Sequence, residues 1–177
     1  MRRLIKTALA AGGTAAIMAT TLTAAHADVQ IFDDPKGDSA HATDIRSTTI
    51  DYGQKLIVVV HFPGSSLQNN VLRYYIDTDR SDVGPEYLAT VHPNSDVFGI
   101  SKVENWNKPN QGQPVNCPGF RALADGLNGG PKLTNVRIPA RCNGAPSSVR
   151  VAVWFRHGAS SDWARATHQF LPSVNRF

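Results

Sequence analysis

The densest chemistry in this chain lies in its aspartates. Asp33, Asp34 and Asp38 fall in one short run, DDPKGD, with Asp44 just beyond it. Asp77, Asp79 and Asp82 fall in a second run, IDTDRSDVGPEY, which Glu86 closes. Hard cations such as Ca²⁺ need several oxygen ligands, and carboxylates at strand ends together with backbone carbonyls supply them. In the second run Asp77 and Asp79 have the same parity, so an extended backbone projects them to one side, about 6.5–7 Å apart. Turning room up to Gly84-Pro85 lets Asp82 fold back toward them. Carboxylates that close repel one another unless a cation or an arginine such as Arg80 lies among them. The expected metal site is therefore Asp77, Asp79 and Asp82, with a structural Ca²⁺ as the expected cofactor. It is not an EF-hand, because Ser81 and Asp82 stand where that loop requires Asp/Asn and Gly. The alternative is that these are ordinary turn residues.

Other constellations are weaker. Gly37-Asp38-Ser39 has the letters of a hydrolase nucleophile motif, but no GxSxG is present and Asp162 and His168 lack a recognised spacing. Ser39, His157 and Asp162 would be the residues of that alternative, and no catalytic residue is assigned. His41, His61, His92, His157 and His168 lie in separate segments without an HxH or HExxH pattern. Two aromatics stand out as ligand-binding candidates. Trp106 sits in a polar loop, ENWNKPNQGQ, and Trp154 shares a strand face with Arg150 and Arg156. Exposed rings of this kind stack on sugars or on apolar partner surfaces. The alternative is that they pack against the protein's own edge and loop.

The N-terminus explains much of the chain's basic character. Arg2, Arg3 and Lys6 precede a charge-free stretch from Thr7 to Ala25, and Ala25-His26-Ala27 has the small-x-small form that signal peptidase cuts. Residues 1–27 are read as a cleaved signal, leaving residues 28–177 as one secreted domain with no retained membrane span. The paired arginines leave both the general and the twin-arginine export routes open. Of the 18 Lys and Arg, three fall in the signal, leaving 15 against 14 Asp and Glu. With no basic cluster left to track phosphates, no nucleic-acid partner is expected. No nucleotide is expected either. Cys117 and Cys142 are the only cysteines, and in an exported chain they predict one disulfide. In the chain-entropy model such a loop contributes about 3.5 kcal/mol.

The elements that must position these groups are short. From Asp28 onward no apolar 3.6 period lasts three turns, and short apolar runs alternate with Gly, Pro, Asn, Asp and Ser. About nine strands are expected: residues 29–32, 45–52, 55–62, 71–77, 87–92, 97–103, 133–138, 149–157, and a short one at Gln169-Phe170. Lys55–Phe62 is apolar on both parities and suits a central strand. In residues 149–157, Val149, Val151, Val153 and Phe155 form one face and Arg150, Trp154 and Arg156 the other. The Pro- and Asn-rich stretch from Glu104 to Gly130 is expected to be a long loop tied by the disulfide, with a helical turn or two in residues 120–127. This pattern predicts an all-β fold, an antiparallel, jelly-roll-like β-sandwich.

The early DDPKGD, then Asp44-Ile45, a buried strand, Tyr75-Ile76-Asp77-Thr78-Asp79 and Gly84-Pro85-Glu86-Tyr87 resemble extracellular β-sandwiches of the DOMON and family 9 carbohydrate-binding type. The resemblance spans residues 33–88 and stops short of the later half. It implies a jelly-roll-like sandwich that is often a binding module and sometimes carries calcium. A Met-ligated haem is excluded, because Met1 and Met18 are the only methionines and both lie in the signal. The expected function is a secreted, non-catalytic binding module for a carbohydrate or a protein. A small secreted hydrolase and a structural envelope protein remain the alternatives.

Overall fold

Alternation along each strand decides which side chains are buried, and two facing sheets follow from it. The computed structural model describes residues 29–63, 70–93, 97–125 and 132–177. The expected export signal, residues 1–27, and its expected cleavage site lie outside these residues. The strands are β1 (Gln30–Asp33), β2 (Ser47–Tyr52), β3 (Lys55–Phe62), β4 (Asn70–Asp77), β5 (Tyr87–His92) and β6 (Val97–Lys102), followed by β7 (Gln113–Pro114), β8 (Arg121–Asp125), β9 (Lys132–Pro139), β10 (Ser148–His157), β11 (Ser160–Trp163) and β12 (Val174–Asn175). One five-stranded sheet runs β1-β2-β3-β9-β8. A seven-stranded sheet runs β11-β10-β4-β5-β6-β7, with β12 also paired to β10. Every pairing is antiparallel. The expected sandwich is the fold, with twelve strands among the described residues rather than about nine.

The core lies between the sheets and is built in cross-strand rows. Ile50, Val58 and Val136 form one such row in the first sheet. Phe155, Leu72 and Val91 form another in the second. All six are buried. Each such side chain contributes roughly 1.5–3 kcal/mol by leaving water. As expected, β3 is central, between β2 and β9, and only its core-facing parity is fully buried.

Two expected elements differ. Residues 121–125 are strand β8, not a helical turn: Ala122 and Ala124 pack on the core while Arg121, Leu123 and Asp125 face out. Pairing with β9 satisfies a backbone that an isolated turn would leave to water. Gln169-Phe170 is not a strand. His168 has a φ of 57°, which breaks an extended run, and the Gln169 amide turns back to the Ala166 carbonyl at 3.0 Å.

The long loop is tied down as expected. Cys117 and Cys142 are bonded, with Cα atoms 5.5 Å apart, and Cys142 sits in a 3₁₀ turn over Ala140–Asn143. Replacing both cysteines by serine is expected to cost about 3 kcal/mol in urea unfolding. A loss under about 1 kcal/mol would mean that the β6–β7 pairing and the buried Phe120 hold the loop without the bridge.

Candidate functional site

The outer face of the seven-stranded sheet carries a second apolar cluster. Tyr75, Leu88, Val103 and Ala152 are buried there, with Trp106, Trp154, Trp163 and Phe170 packed on them half-buried. Parity explains the set: Arg73 and Tyr75 on β4, and Ala152 and Trp154 on β10, all point away from the core. Register places Trp154 directly between Arg73 and Trp163. The Trp154 ring has the Arg73 guanidinium 4.9 Å from its centroid and that of Arg156 at 5.6 Å. The sequence pairing of Trp154 with Arg156 is thus real. Arg73 was missed, although its parity with Tyr75 was readable.

Trp106 differs from its expected exposure. Its ring centroid lies 5.0 Å from Tyr75, 4.7 Å from Phe170 and 5.1 Å from His168. Large apolar surface in a polar loop found the nearest apolar partners, and the ring fastens the loop to the sheet. Trp154 is also half-buried, with two guanidiniums over its ring in place of a covering loop.

The aspartates of the second run do not converge. Asp77 is buried and ion-paired with Arg150, its cross-strand neighbour. Burial pushes its carboxyl up, against the opposing pull of that guanidinium. Asp79 Oδ1 accepts the Ser81 hydroxyl at 2.6 Å and the Ser81 amide at 2.9 Å, and these bonds hold it below the usual range. Asp82 Oδ1 accepts the Val83 amide at 2.7 Å. Glu86 accepts from the Thr78 hydroxyl and the Asp79 amide, closing the loop from within. An arginine and local turn bonds thus take up the carboxylates of the expected Asp77, Asp79 and Asp82 site separately.

A different set of carboxylates gathers. Asp34, Asp38 and Asp162 each place an oxygen within 4.8 Å of the others. Asp34 follows from the end of β1, Asp38 from the adjoining turn, and Asp162 from β11. The turn is shaped by Gly37, whose φ of 84° favours glycine. The Gly37 amide donates to both Asp44 oxygens, at 3.1 and 3.2 Å, and Asp44 pairs with Arg46 at 2.6 Å. Asp162 is set by the amides of Ile45 at 2.7 Å and Trp163 at 2.8 Å. Burial raises Asp162, and it pushes Asp34 up to about 7, with the charges of Asp162, Asp38 and Asp44 adding to the rise. Asp34 and Asp38 line an open cleft of about 670 Å³. Asp162 was singled out in the sequence only as a hydrolase residue, and no spacing linked it to the first run.

The residues of the hydrolase alternative form no relay with one another. Ser39 Oγ bonds Thr43 Oγ1 at 2.8 Å and the Ser161 carbonyl at 3.1 Å. His157 Nδ1 lies 2.6 Å from Asn70 Oδ1, and Asp162 accepts backbone amides. A second cleft, about 510 Å³, is lined by Glu86, Glu104, Lys102 and Lys108 among others, so its charges are mixed. Among the described residues no helix is long and apolar enough to cross a membrane. No family model, no curated protein and no solved structure matches this chain.

Two outcomes follow from the packing. Trp106→Ala is expected to lower stability by about 2–3 kcal/mol, measured by denaturant unfolding, because it removes a ring packed on four others. An unchanged midpoint would show that the ring carries no structural role. Arg150→Met is expected to cost roughly 2–3 kcal/mol by stranding buried Asp77, less than a fully buried pair because Arg150 keeps 31% exposure. Adding Asp77→Asn should recover most of it, and an additive double variant would refute the coupling.

Proposed function

We propose that this chain is a secreted, non-catalytic binding module whose ligand surface is the outer face of the seven-stranded sheet. The observation that carries the reading is Trp154, half-buried on that face, with the Arg73 and Arg156 guanidiniums against its ring. An aromatic plane flanked by fixed cations suits an acidic polysaccharide. The guanidiniums held over the ring take the polysaccharide's carboxylates or sulfates, and the part of the ring they leave uncovered packs against the sugar. Beside Trp154 the face continues into Thr90 and Gly99, small residues that leave room for an extended chain. The disulfide supports an oxidising compartment and agrees with the N-terminal signal. The resemblance to DOMON and family 9 carbohydrate-binding sandwiches points the same way.

The test is binding of the purified protein to immobilised uronic-acid polymers and to neutral glycans. Acidic polymers should bind saturably and release as salt rises. Trp154→Ala should weaken binding roughly tenfold, and Arg73→Gln with Arg156→Gln should abolish the preference for acidic over neutral polymers. Equal binding of neutral glycans would refute the cationic role. Product release from the polymer would favour the hydrolase alternative. Capture of acidic proteins alone would make the ligand a protein.

A further inference from the structure

We propose that Asp34, Asp38 and Asp162 form a binding site for a divalent cation of the calcium class, joining the first turn of the domain to its penultimate pair of strands. The site is separate from the Trp154 face and does not depend on its role.

The three carboxylates come together without a basic partner: among the described residues no lysine or arginine pairs with any of them. Their ligand oxygens all lie within 4.8 Å of one another, close enough to share one calcium–oxygen shell, whose diameter is about 4.6–5.2 Å. Magnesium demands a near-ideal octahedron and gives up its waters reluctantly, so an open site of three carboxylates favours calcium.

The second observation is Asp34 itself. The residue is 7% exposed, and its Oδ2 is buried with no hydrogen-bond donor. A buried, unpartnered carboxylate oxygen is among the costliest groups a fold can carry. Two further carboxylates beside it raise that cost, whereas a divalent ion would lower it. Asp162 is compatible with ligation although both its oxygens accept amides, because each oxygen has a second lone pair. Asp44 is neutralised by Arg46 and serves to hold the turn, not the ion. The cleft beside Asp34 and Asp38 provides entry and room for waters to complete the shell.

Calorimetric titration of CaCl₂ and MgCl₂ into EDTA-treated protein, with melting scans, tests the proposal. One Ca²⁺ per chain is expected, with a Tm rise of about 5–10 °C at a hundredfold excess over Kd and a weaker response to Mg²⁺. Asp38→Asn, at an exposed position, should abolish uptake without lowering the metal-free Tm. Asp34→Asn should abolish uptake and raise the metal-free Tm, because the amide removes the buried repulsion. Asp79→Asn with Asp82→Asn should leave the calcium response intact. The proposal is overturned if the wild-type protein takes up no calcium. It is equally overturned if uptake survives Asp34→Asn and Asp38→Asn, or is lost on changing Asp79 and Asp82.

Discussion

The eight-residue ladder between β4 and β10, from Asn70↔His157 to Asp77↔Arg150, is the interaction on which both faces of the molecule rest. Its inward parity supplies Leu72, Tyr74, Ile76, Val151, Val153 and Phe155 to the core, nearly all inaccessible to water. Its outward parity supplies Arg73, Tyr75, Ala152 and Trp154. A slip of one residue would exchange the two sets, burying arginines and exposing the apolar rows, so burial of the core selects a single register. The Arg150–Asp77 pair marks one end of that register, and the Asn70–His157 contact the other.

Because the register is unique, the placement of Trp154 against Arg73 follows from core packing, not from any local attraction. The outward face then has more apolar area than a solvated sheet tolerates. Trp106 and Phe170 cover part of it from two loops, and Trp154 remains at the margin with its guanidiniums. The proposed ligand surface around Trp154 and the packed cluster around Trp106 thus share one face. This division explains why the two tryptophans singled out by sequence have different environments.

The acidic turn shows a different balance. Local backbone bonding spends the carboxylates of Asp79, Asp82 and Glu86 within their own loop, and an arginine spends Asp77. In the first run, Asp44 is spent in the same way, on Gly37 and Arg46. Asp34 is the exception: it is folded inward, its Oδ2 is buried with no hydrogen-bond donor, and it faces a carboxylate from β11. Clusters of aspartate are common at strand ends, and what separates a turn from a site is the presence of an oxygen that nothing local satisfies.

Much of the architecture was legible along the chain, because its causes are local. A β-branched run apolar on both parities marked Lys55–Phe62, period-two alternation marked residues 149–157, Gly- and Pro-rich breaks separated the strands, and two cysteines left one pairing. The strands that were misread are those with little periodicity of their own. Arg121–Asp125 is a strand because β9 lies beside it, and Ser160–Trp163 because β10 does. The positions of functional groups were legible only in part. Parity placed Trp154 with Arg150 and Arg156, yet whether Trp106 would be free depended on which loops folded over the sheet. The gathering of Asp34, Asp38 and Asp162 was invisible, since the third member arrives on a strand distant in sequence and only the closing of the sandwich sets the distance between them. Local chemistry therefore determined the strands, their faces and the bridge. Tertiary structure alone decided which carboxylates meet, because Coulomb repulsion and burial depend on separation in space and not on spacing along the chain.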